Sequence, residues 1–230
     1  MKLRAIAAAL FVCTLIIIVC FGEQLSPHDP RQRSAVYKEG DTLVSPPFPI
    51  GTPGYVLGSD QYGRDLLSRL LVGTRPTVLA ILVIASVRLF IGLIIGILAS
   101  TSGRVGHQFF SWVATISQAI PALLSALLVL AFAGTNPTLW MFVVALSWNG
   151  WSDCAREIMH HLDHMRTQAY FQAAISTGDT RYSIMVRHGG RVITAHLAPL
   201  FVRECSHVLS ILAMVGFLGY FLSTATWIII

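Results

Sequence analysis

Three histidines in the run HHLDH have the residue types and spacing that come nearest to a metal site. His160 and His164 are four positions apart, which places both imidazoles on one face of a helix, and His161 lies between them. Neutral imidazoles at this spacing are common ligands of zinc, copper and nickel. However, the run comes just before a polar turn, where polar side chains are expected in any case. The sequence therefore predicts no metal ion here and leaves the role of these histidines open.

Two charged residues lie within strongly apolar runs. Arg88 stands inside VIASVRLFIGL, and Glu204 stands inside FVRECSHVL, three positions before His207. A charge inside an apolar helix is costly unless it meets a partner, so Glu204 and His207 are the candidate partners of Arg88. One hypothesis is an intramembrane pair of Arg88 and Glu204 near a translocation path. The alternative is that the two side chains reach separately to headgroups or to a neighbouring subunit.

The sequence contains none of the common motifs of hydrolytic or nucleotide-binding sites. It has no GxxxxGK[ST] phosphate loop, no HExxH and no GxSxG, and no Ser/His/Asp set is recognisable. The four cysteines are Cys13, Cys20, Cys154 and Cys205, and no two of them have metal or redox spacing. We therefore expect neither an enzyme nor a cofactor bound by this chain.

The composition indicates a membrane protein. Of the 230 residues, 54% are hydrophobic and 12% are charged, whereas soluble domains carry about 25% charged residues. The net charge of +5 is distributed between apolar runs rather than in one patch, so nucleic-acid binding is not expected. A bilayer core needs about 20 apolar residues in a helix. Five segments meet this need and predict an all-α bundle of transmembrane helices, namely 5–21, 76–99, 109–133, 138–154 and 197–222.

Basic residues predict the orientation of these spans. Lys2 and Arg4 place the N-terminus in the cytoplasm, and the arginines of 100–108 and 155–196 fall on the same side by alternation. The first segment is also compatible with a secretory signal peptide. Its end, IIIVCFGEQ, has no small-residue cleavage pattern, which favours an uncleaved anchor at 1–21.

The segment 22–75 is predicted to be an extracytoplasmic loop that contains an amphipathic helix. Its first part is rich in proline, as in SPHDP and SPPFPIGTPG. The part GSDQYGRDLLSRLL (58–71) has apolar positions on one side, with Ser59 as the predicted N-cap. We expect this helix to anchor the second span.

The polar region 155–196 reads as a helix, a turn and a second helix. An apolar stripe at helical spacing runs through the first helix, and its residues are Ile158, Leu162, Met165, Ala169, Tyr170 and Ala173. Gly178 supplies the positive φ that ends this helix, and Asp179-Thr180 caps a short second helix at about 181–188. Such an elbow suits docking into a soluble partner, although a connecting loop between two spans explains the same residues.

Two motifs carry a resemblance to a known family. YFQAAISTG at 170–178 resembles the EAA loop of ABC importer permeases, and LGSDQYGRDLLSRLLVGTR at 57–75 is similar to the block before the second span in C-type subunits of the dipeptide/oligopeptide/nickel permeases. The resemblance covers residues 57–219. It implies an all-α type I permease, here the domain 76–222 with its coupling loop at 155–196.

The resemblance also implies the partners and the function. Family members pair with a sister permease, two ATPase subunits that bind ATP and magnesium, and an extracytoplasmic solute-binding protein. The solute is then a peptide or a related small solute such as nickel, and the chain lies in the bacterial inner membrane. The positions expected to contact the ATPase are Tyr170, Gln172, Ala173, Ala174, Gly178, Asp179 and Arg187.

The sequence departs from the family pattern in several places. Gln172 replaces the usual glutamate, residues 190–192 replace Leu-Pro-Asn, and Leu212 stands where an acidic residue is common. The family also has a sixth span, so residues 223–230 are interpreted as a truncated end. The alternative function is therefore a truncated or degenerate permease that acts as a non-transporting scaffold. An exporter or channel without ATPases is disfavoured by the coupling motif.

Overall fold

The chain folds mainly into α-helices, as the sequence predicts. The computed structural model describes residues 2–39, 42–132, 138–184, 187 and 189–218. The elements in chain order are α1 (Lys2–Leu25), β1 (Tyr37–Glu39), β2 (Thr42–Val44), α2 (Leu66–Thr101), α3 (Arg104–Ala119), α4 (Ala122–Phe132), α5 (Leu139–Thr167), α6 (Ala169–Ser176), α7 (Arg181–Ile184) and α8 (Gly190–Phe217). The two strands form an antiparallel hairpin with Tyr37 opposite Val44. This hairpin was not predicted.

Three of the described helices are long and apolar enough to cross a membrane. They are α2, α8 and the part of α1 from Ile6 to Leu25. Helices α3 and α4 together form a fourth candidate, bent by 77° at the break between them. The break lies at Ile120, whose backbone is extended because it precedes Pro121.

Two predicted spans differ from the helices that contain them. The predicted fourth span, 138–154, is the first half of α5, which continues through the polar residues to Thr167 and is not among the candidate spans. The predicted fifth span, 197–222, begins earlier, at Gly190, and its described part ends at Phe217, beyond which 219–230 lie outside the described residues. The count of five spans stays a prediction.

The described residues form two compact units, with residues up to Leu79 in the first and those from Ala80 in the second. In the first unit, α1 exposes large apolar side chains such as Phe11, 69% exposed, as expected of a helix that faces lipid. Gly22 of α1 lies against the backbone carbonyl of Leu71, and a Cβ at Gly22 would overlap that oxygen. A side chain at position 22 would therefore separate α1 from α2.

The segment before α2 corrects the prediction of an amphipathic helix at 58–71. Residues 58–65 form turns and isolated bridges, and the helix begins only at Leu66. Its cap is Asp65, whose carboxylate accepts hydrogen bonds from the backbone N–H groups of Leu67 and Ser68. Ser59, the predicted cap, instead accepts a hydrogen bond from the N–H of Phe48. The prediction failed because the polar residues here bond to one another, which competes with helical hydrogen bonding.

Asp60 holds this segment together. Its carboxylate accepts hydrogen bonds from the backbone N–H groups of Tyr62 and Arg64 and from the guanidinium groups of Arg64 and Arg69, the latter two at 2.7 Å. Burial acts to raise the pKa of Asp60, but the hydrogen bonds from Arg64 and Tyr62 and the charge of Arg64 outweigh it, so the pKa is lowered. The charged carboxylate therefore stabilises the segment at pH values above its ordinary pKa, and this stabilisation is lost as the pH falls through the lowered pKa.

Replacing Asp60 by asparagine is expected to make residues 26–65 more susceptible to proteolysis at neutral pH. Hydrogen bonds to charged groups contribute about 1.5–3 kcal/mol each, and asparagine keeps the shape but loses the charge. The control is Asp29→Asn, because Asp29 is exposed and its carboxylate accepts a hydrogen bond from the N–H of Arg31 that an asparagine oxygen can also accept. Equal cleavage rates for Asp60→Asn and the wild type would contradict this role.

In the second unit, the core lies where the end of α5 meets α6, α7 and α8. Its buried residues are Ile158, Leu162, Met165, Phe171, Ile184 and Leu200. Leu89 and Leu93 of α2 pack against the same cluster. A smaller cluster of Ala99, Ala114 and Met159 joins α2, α3 and α5. These contacts fix the position of the polar region that the sequence singled out.

Candidate functional site

The polar region begins with a sharp change of direction between α5 and α6. Gln168 has an extended backbone, with φ −73° and ψ 145°, so it ends α5 and starts α6. Its N–H still donates to the carbonyl of Met165. The single predicted helix through this region is therefore two helices. We call residues 168–184 together with Arg187 the elbow.

Gly178 ends α6 as the sequence predicts. Its φ is 94°, a conformation that favours glycine. The N–H of Asp179 donates to the carbonyl of Ala174 at 3.1 Å, and the N–H of Gly178 donates to that of Ile175 at 3.0 Å. These two bonds form the Schellman motif of helix C-termini. Thr180 then caps α7, since its Oγ1 accepts from the N–H of Ser183 at 3.2 Å.

The elbow is attached to the bundle by two apolar side chains. Phe171 of α6 is 3% exposed and Ile184 of α7 is fully buried. Both belong to the cluster that α5 and α8 complete with Leu162 and Leu200. The break at Gln168 shifts the helical phase, so Phe171 faces the core and Tyr170, predicted to be in the apolar stripe, is 46% exposed.

Most of the predicted partner-contact positions are exposed. Of that set, the exposed residues are Tyr170, Gln172, Ala173, Gly178 and Arg187, and the half-buried ones are Ala174 and Asp179. Asp179 and Arg187 form an ion pair with 3.5 Å between Oδ2 and Nη1. Because Arg187 is well exposed and Asp179 is only half-buried, this pair adds little stability. Residues 185, 186 and 188 of the predicted second helix lie outside the described residues.

A cleft of about 740 Å³ lies between the elbow and the connection from α2 to α3. Asp163 lines it, with Oδ2 2.9 Å from Nε2 of His107 and Oδ1 3.0 Å from Nη1 of Arg166. Arg166 also donates to the carbonyl of Ser100. Gln172 donates from Nε2 to the carbonyl of Arg166 at 3.1 Å. The amide at position 172 thus ties α6 to the end of α5, a bond that a carboxylate would not make, because it has no donor.

The structure brings Arg88 of α2 and Glu204 of α8 together, which was one of the two alternatives. Nη1 of Arg88 lies 3.1 Å from Oε2 of Glu204, and the side chains are 0% and 1% exposed. Space for the guanidinium exists because residue 150 of α5 is glycine, where a Cβ would overlap Nε and Cζ of Arg88. Within the described residues, the nitrogens of Arg88 and the oxygens of Glu204 make no well-aligned hydrogen bond.

Comparison with known proteins identifies the family. No family model matches the chain. The peptide transport system permease protein SapC of Escherichia coli O6:H1 is 30% identical over 211 residues, which make up 91% of this chain and 69% of that relative. The chain belongs to the family of ABC peptide-transport permeases. The permease is also similar to the dipeptide transport system permease protein DppC of Haemophilus influenzae, at 27% identity over 94% of this chain and 71% of DppC.

A third relative has a different named solute. The probable D,D-dipeptide transport system permease protein DdpC of Escherichia coli K12 is 25% identical over 94% of the permease and 67% of DdpC. These relatives are transport permease subunits, not enzymes. Together with the apolar helices, they identify the permease as a multi-pass protein of the inner membrane.

Three histidine rings of the permease contact one another. His161 lies edge-to-face with His160 and is tilted against His196 of α8, with ring centroids 6.0 Å and 3.7 Å apart, and it lies 3.5 Å from a carboxylate oxygen of Glu157. His164 contacts Gln168 instead. Among the described residues, no three histidine, cysteine or acidic side chains are grouped as metal ligands would be. Burial and the nearby His196 lower the pKa of His161.

Sequence reasoning missed three residues that position the site. Phe171 was overlooked because the spacing of apolar residues predicts one continuous helix and does not reveal the break at Gln168. Asp163 was read only as part of the histidine run. Gly150 lies in WNGW, a glycine within a helical pattern, which is itself a signal of close approach, but nothing in the sequence connects it to Arg88.

Proposed function

We propose that the permease is one of two transmembrane subunits of an ABC importer that carries peptides into the cell. Separate ATPase subunits bind ATP and magnesium, and an extracytoplasmic protein delivers the solute. The N-terminus and the elbow then lie on the cytoplasmic side. Peptides are favoured over nickel because the relatives named above are peptide and dipeptide permeases.

The observation that supports this proposal is the two-sided construction of the elbow. Its inner side is fixed by Phe171 and Ile184, which are buried against α5 and α8. Its outer side exposes Tyr170 and Ala173. A surface element that is rigidly held on one side and exposed on the other can pass a movement of a docked partner to the helices. A simple connecting loop has no need of two buried anchors and a capped turn.

Small residues on the outer side suit close docking. Ala173 of α6 is exposed and flanked by the half-buried Ala174, so a partner surface can approach the helix backbone closely. Gln172 keeps hydrogen-bonding capacity where the family usually has glutamate, but its amide is directed to the carbonyl of Arg166. We therefore assign docking mainly to Tyr170 and Ala173. The ion pair of Asp179 and Arg187 is assigned a role in orienting the turn.

Replacing Ala173 by arginine is expected to abolish co-purification of the permease with its ATPase while leaving the permease folded. The long charged side chain projects from an exposed position of α6 and fills the space in which the ATPase surface would approach α6. The measurement is the ratio of ATPase to permease after affinity purification from membranes. The permease is co-expressed with the ATPase of its own transport system.

The control is Gln108→Arg, an added charge at an exposed position of α3 outside the elbow. It is expected to retain the ATPase. If Ala173→Arg retains the ATPase as well as the control does, the elbow is not the docking element. If the wild type binds the ATPase but no peptide accumulates in cells, the scaffold function replaces the importer.

A further inference from the structure

A polar cleft of about 460 Å³ lies between α3, α5 and α8, and the coupling elbow does not use it. Its lining includes Gln118 of α3, Asp153 and Glu157 of α5, and Arg203, Glu204 and His207 of α8. The cleft therefore offers both guanidinium and carboxylate groups. Glu204 connects it to the buried pair described above.

The polar and charged groups of the cleft form ion pairs and hydrogen bonds, including contacts between different helices. Nη1 of Arg203 lies 3.1 Å from Oε2 of Glu157, and Nη2 lies 3.7 Å from Oε1 of Glu204. Gln118 donates from Nε2 to Oδ1 of Asp153 at 2.7 Å. Both carboxylate oxygens of Glu204 are buried and lack a well-aligned hydrogen bond within the described residues. The carboxylate of Glu204 therefore lies between the guanidinium groups of Arg88 and Arg203.

The position of the cleft along α8 is the decisive feature. Arg203 lies near the middle of α8, one of the helices long and apolar enough to span the membrane. Yet Arg203 is 45% exposed and Glu157 is 40% exposed. Charged side chains within membrane-spanning segments face the bundle interior or a water-filled cavity rather than lipid. On the same helix, Val202 and Leu209 are exposed, apolar and one heptad apart, so they mark a different face that suits lipid.

We propose that this cleft lines the water-filled path of the permease and that Arg203 binds the carboxylate of a passing peptide, with Glu157 facing its amino group. The concave shape and the presence of both charges favour a zwitterionic solute over a second protein surface, which would bury the ion pairs against matched partners. The inference rests on the proposed import of peptides and names the residues that meet the solute.

Reactivity of an introduced cysteine tests the path. In a background with Cys13, Cys20, Cys154 and Cys205 replaced by serine or alanine, we compare His207→Cys with Leu209→Cys in native membranes, using a charged methanethiosulfonate. A thiol in water ionises and reacts, whereas a thiol in lipid stays protonated, so His207→Cys is expected to react about tenfold faster or more. Equal, slow labelling of both would mean that the cleft is covered, for example by the sister subunit, and would overturn the proposal.

Peptide protection tests the binding assignment. Trialanine at millimolar concentration is expected to slow labelling of His207→Cys at least about threefold, and trialanine amide, which lacks the carboxylate, is expected to slow it less. Arg203→Lys keeps the charge and should retain part of the protection, whereas Arg203→Gln should lose the preference for the free acid. No protection by trialanine, or equal protection by the amide, would overturn the role of Arg203. ATPase co-purification is measured in parallel, so that loss of the cleft site is distinguished from loss of the proposed function.

Discussion

Replacing Glu204 by leucine is expected to reduce the stability of the permease more than any other single change at the site. The variant leaves the guanidinium of Arg88 buried without a counter-charge, and breaking a buried ion pair in this way costs about 3–5 kcal/mol. Arg88→Leu is expected to have a smaller effect in the same direction, because Glu204 loses its nearer cation but keeps Arg203, whose Nη2 lies 3.7 Å from Oε1 of Glu204. The measurement is the thermal unfolding midpoint of the detergent-purified permease, together with its yield from membranes.

The double variant Arg88→Leu/Glu204→Leu is the control for this prediction. The two side chains approach to 3.1 Å but make no well-aligned hydrogen bond among the described residues, so replacing both by apolar groups removes two costly buried charges together. We expect the double variant to recover most of the lost stability. If it is as unstable as the sum of the single variants, Arg88 and Glu204 act independently and the pair has no energetic role.

Replacing Gly150 by alanine is expected to have the second largest effect. The added methyl group would overlap the guanidinium of Arg88, which has no free space because its side chain is fully buried. Overpacking of a well-packed core costs about 1–3 kcal/mol, and here it also displaces Arg88 from Glu204. The same thermal unfolding measurement applies.

Two comparisons make the Gly150 prediction specific. Gly190→Ala adds the same methyl group in α8 where no atom lies within 4 Å, so it is expected to leave stability unchanged or slightly higher. In the Arg88→Leu/Glu204→Leu background, Gly150→Ala is expected to cost much less, because leucine lacks the Nε and Cζ atoms that the methyl group meets. An equal cost in both backgrounds would show that Gly150 is required for another reason.

Features set by local chemistry were predictable from the sequence. The turn at Gly178 follows from the preference of glycine for positive φ, and the start of α7 follows from the capping hydroxyl of Thr180. Arg88 was noticed because a charge inside an apolar run needs a partner, and few partners were available. The helical fold follows from composition, since lipid leaves backbone groups no partners outside helices or closed barrels.

Features that depend on contacts distant in sequence were not predictable. The side of α6 that faces the core depends on the break at Gln168. The helix propensities of the residues around Gln168 do not predict this break. The loop at 58–65 is held by Asp60 and its arginines, whose mutual hydrogen bonds are invisible to a helical pattern. Gly150 was unexplained until the guanidinium of Arg88 was found beside it, because chain order separates them widely.

The double attachment of the elbow has a mechanical consequence. Phe171 and Ile184 enter a cluster built by α5 and α8, and α8 is linked to α2 through Glu204 and Arg88. A torque applied to α6 is therefore expected to turn three helices together instead of bending one. Helix α2 is joined to this assembly twice, through Leu89 and Leu93 at the apolar cluster and through the buried ion pair, so a permease that lacks the pair is expected to transmit movement from the elbow to α2 less rigidly.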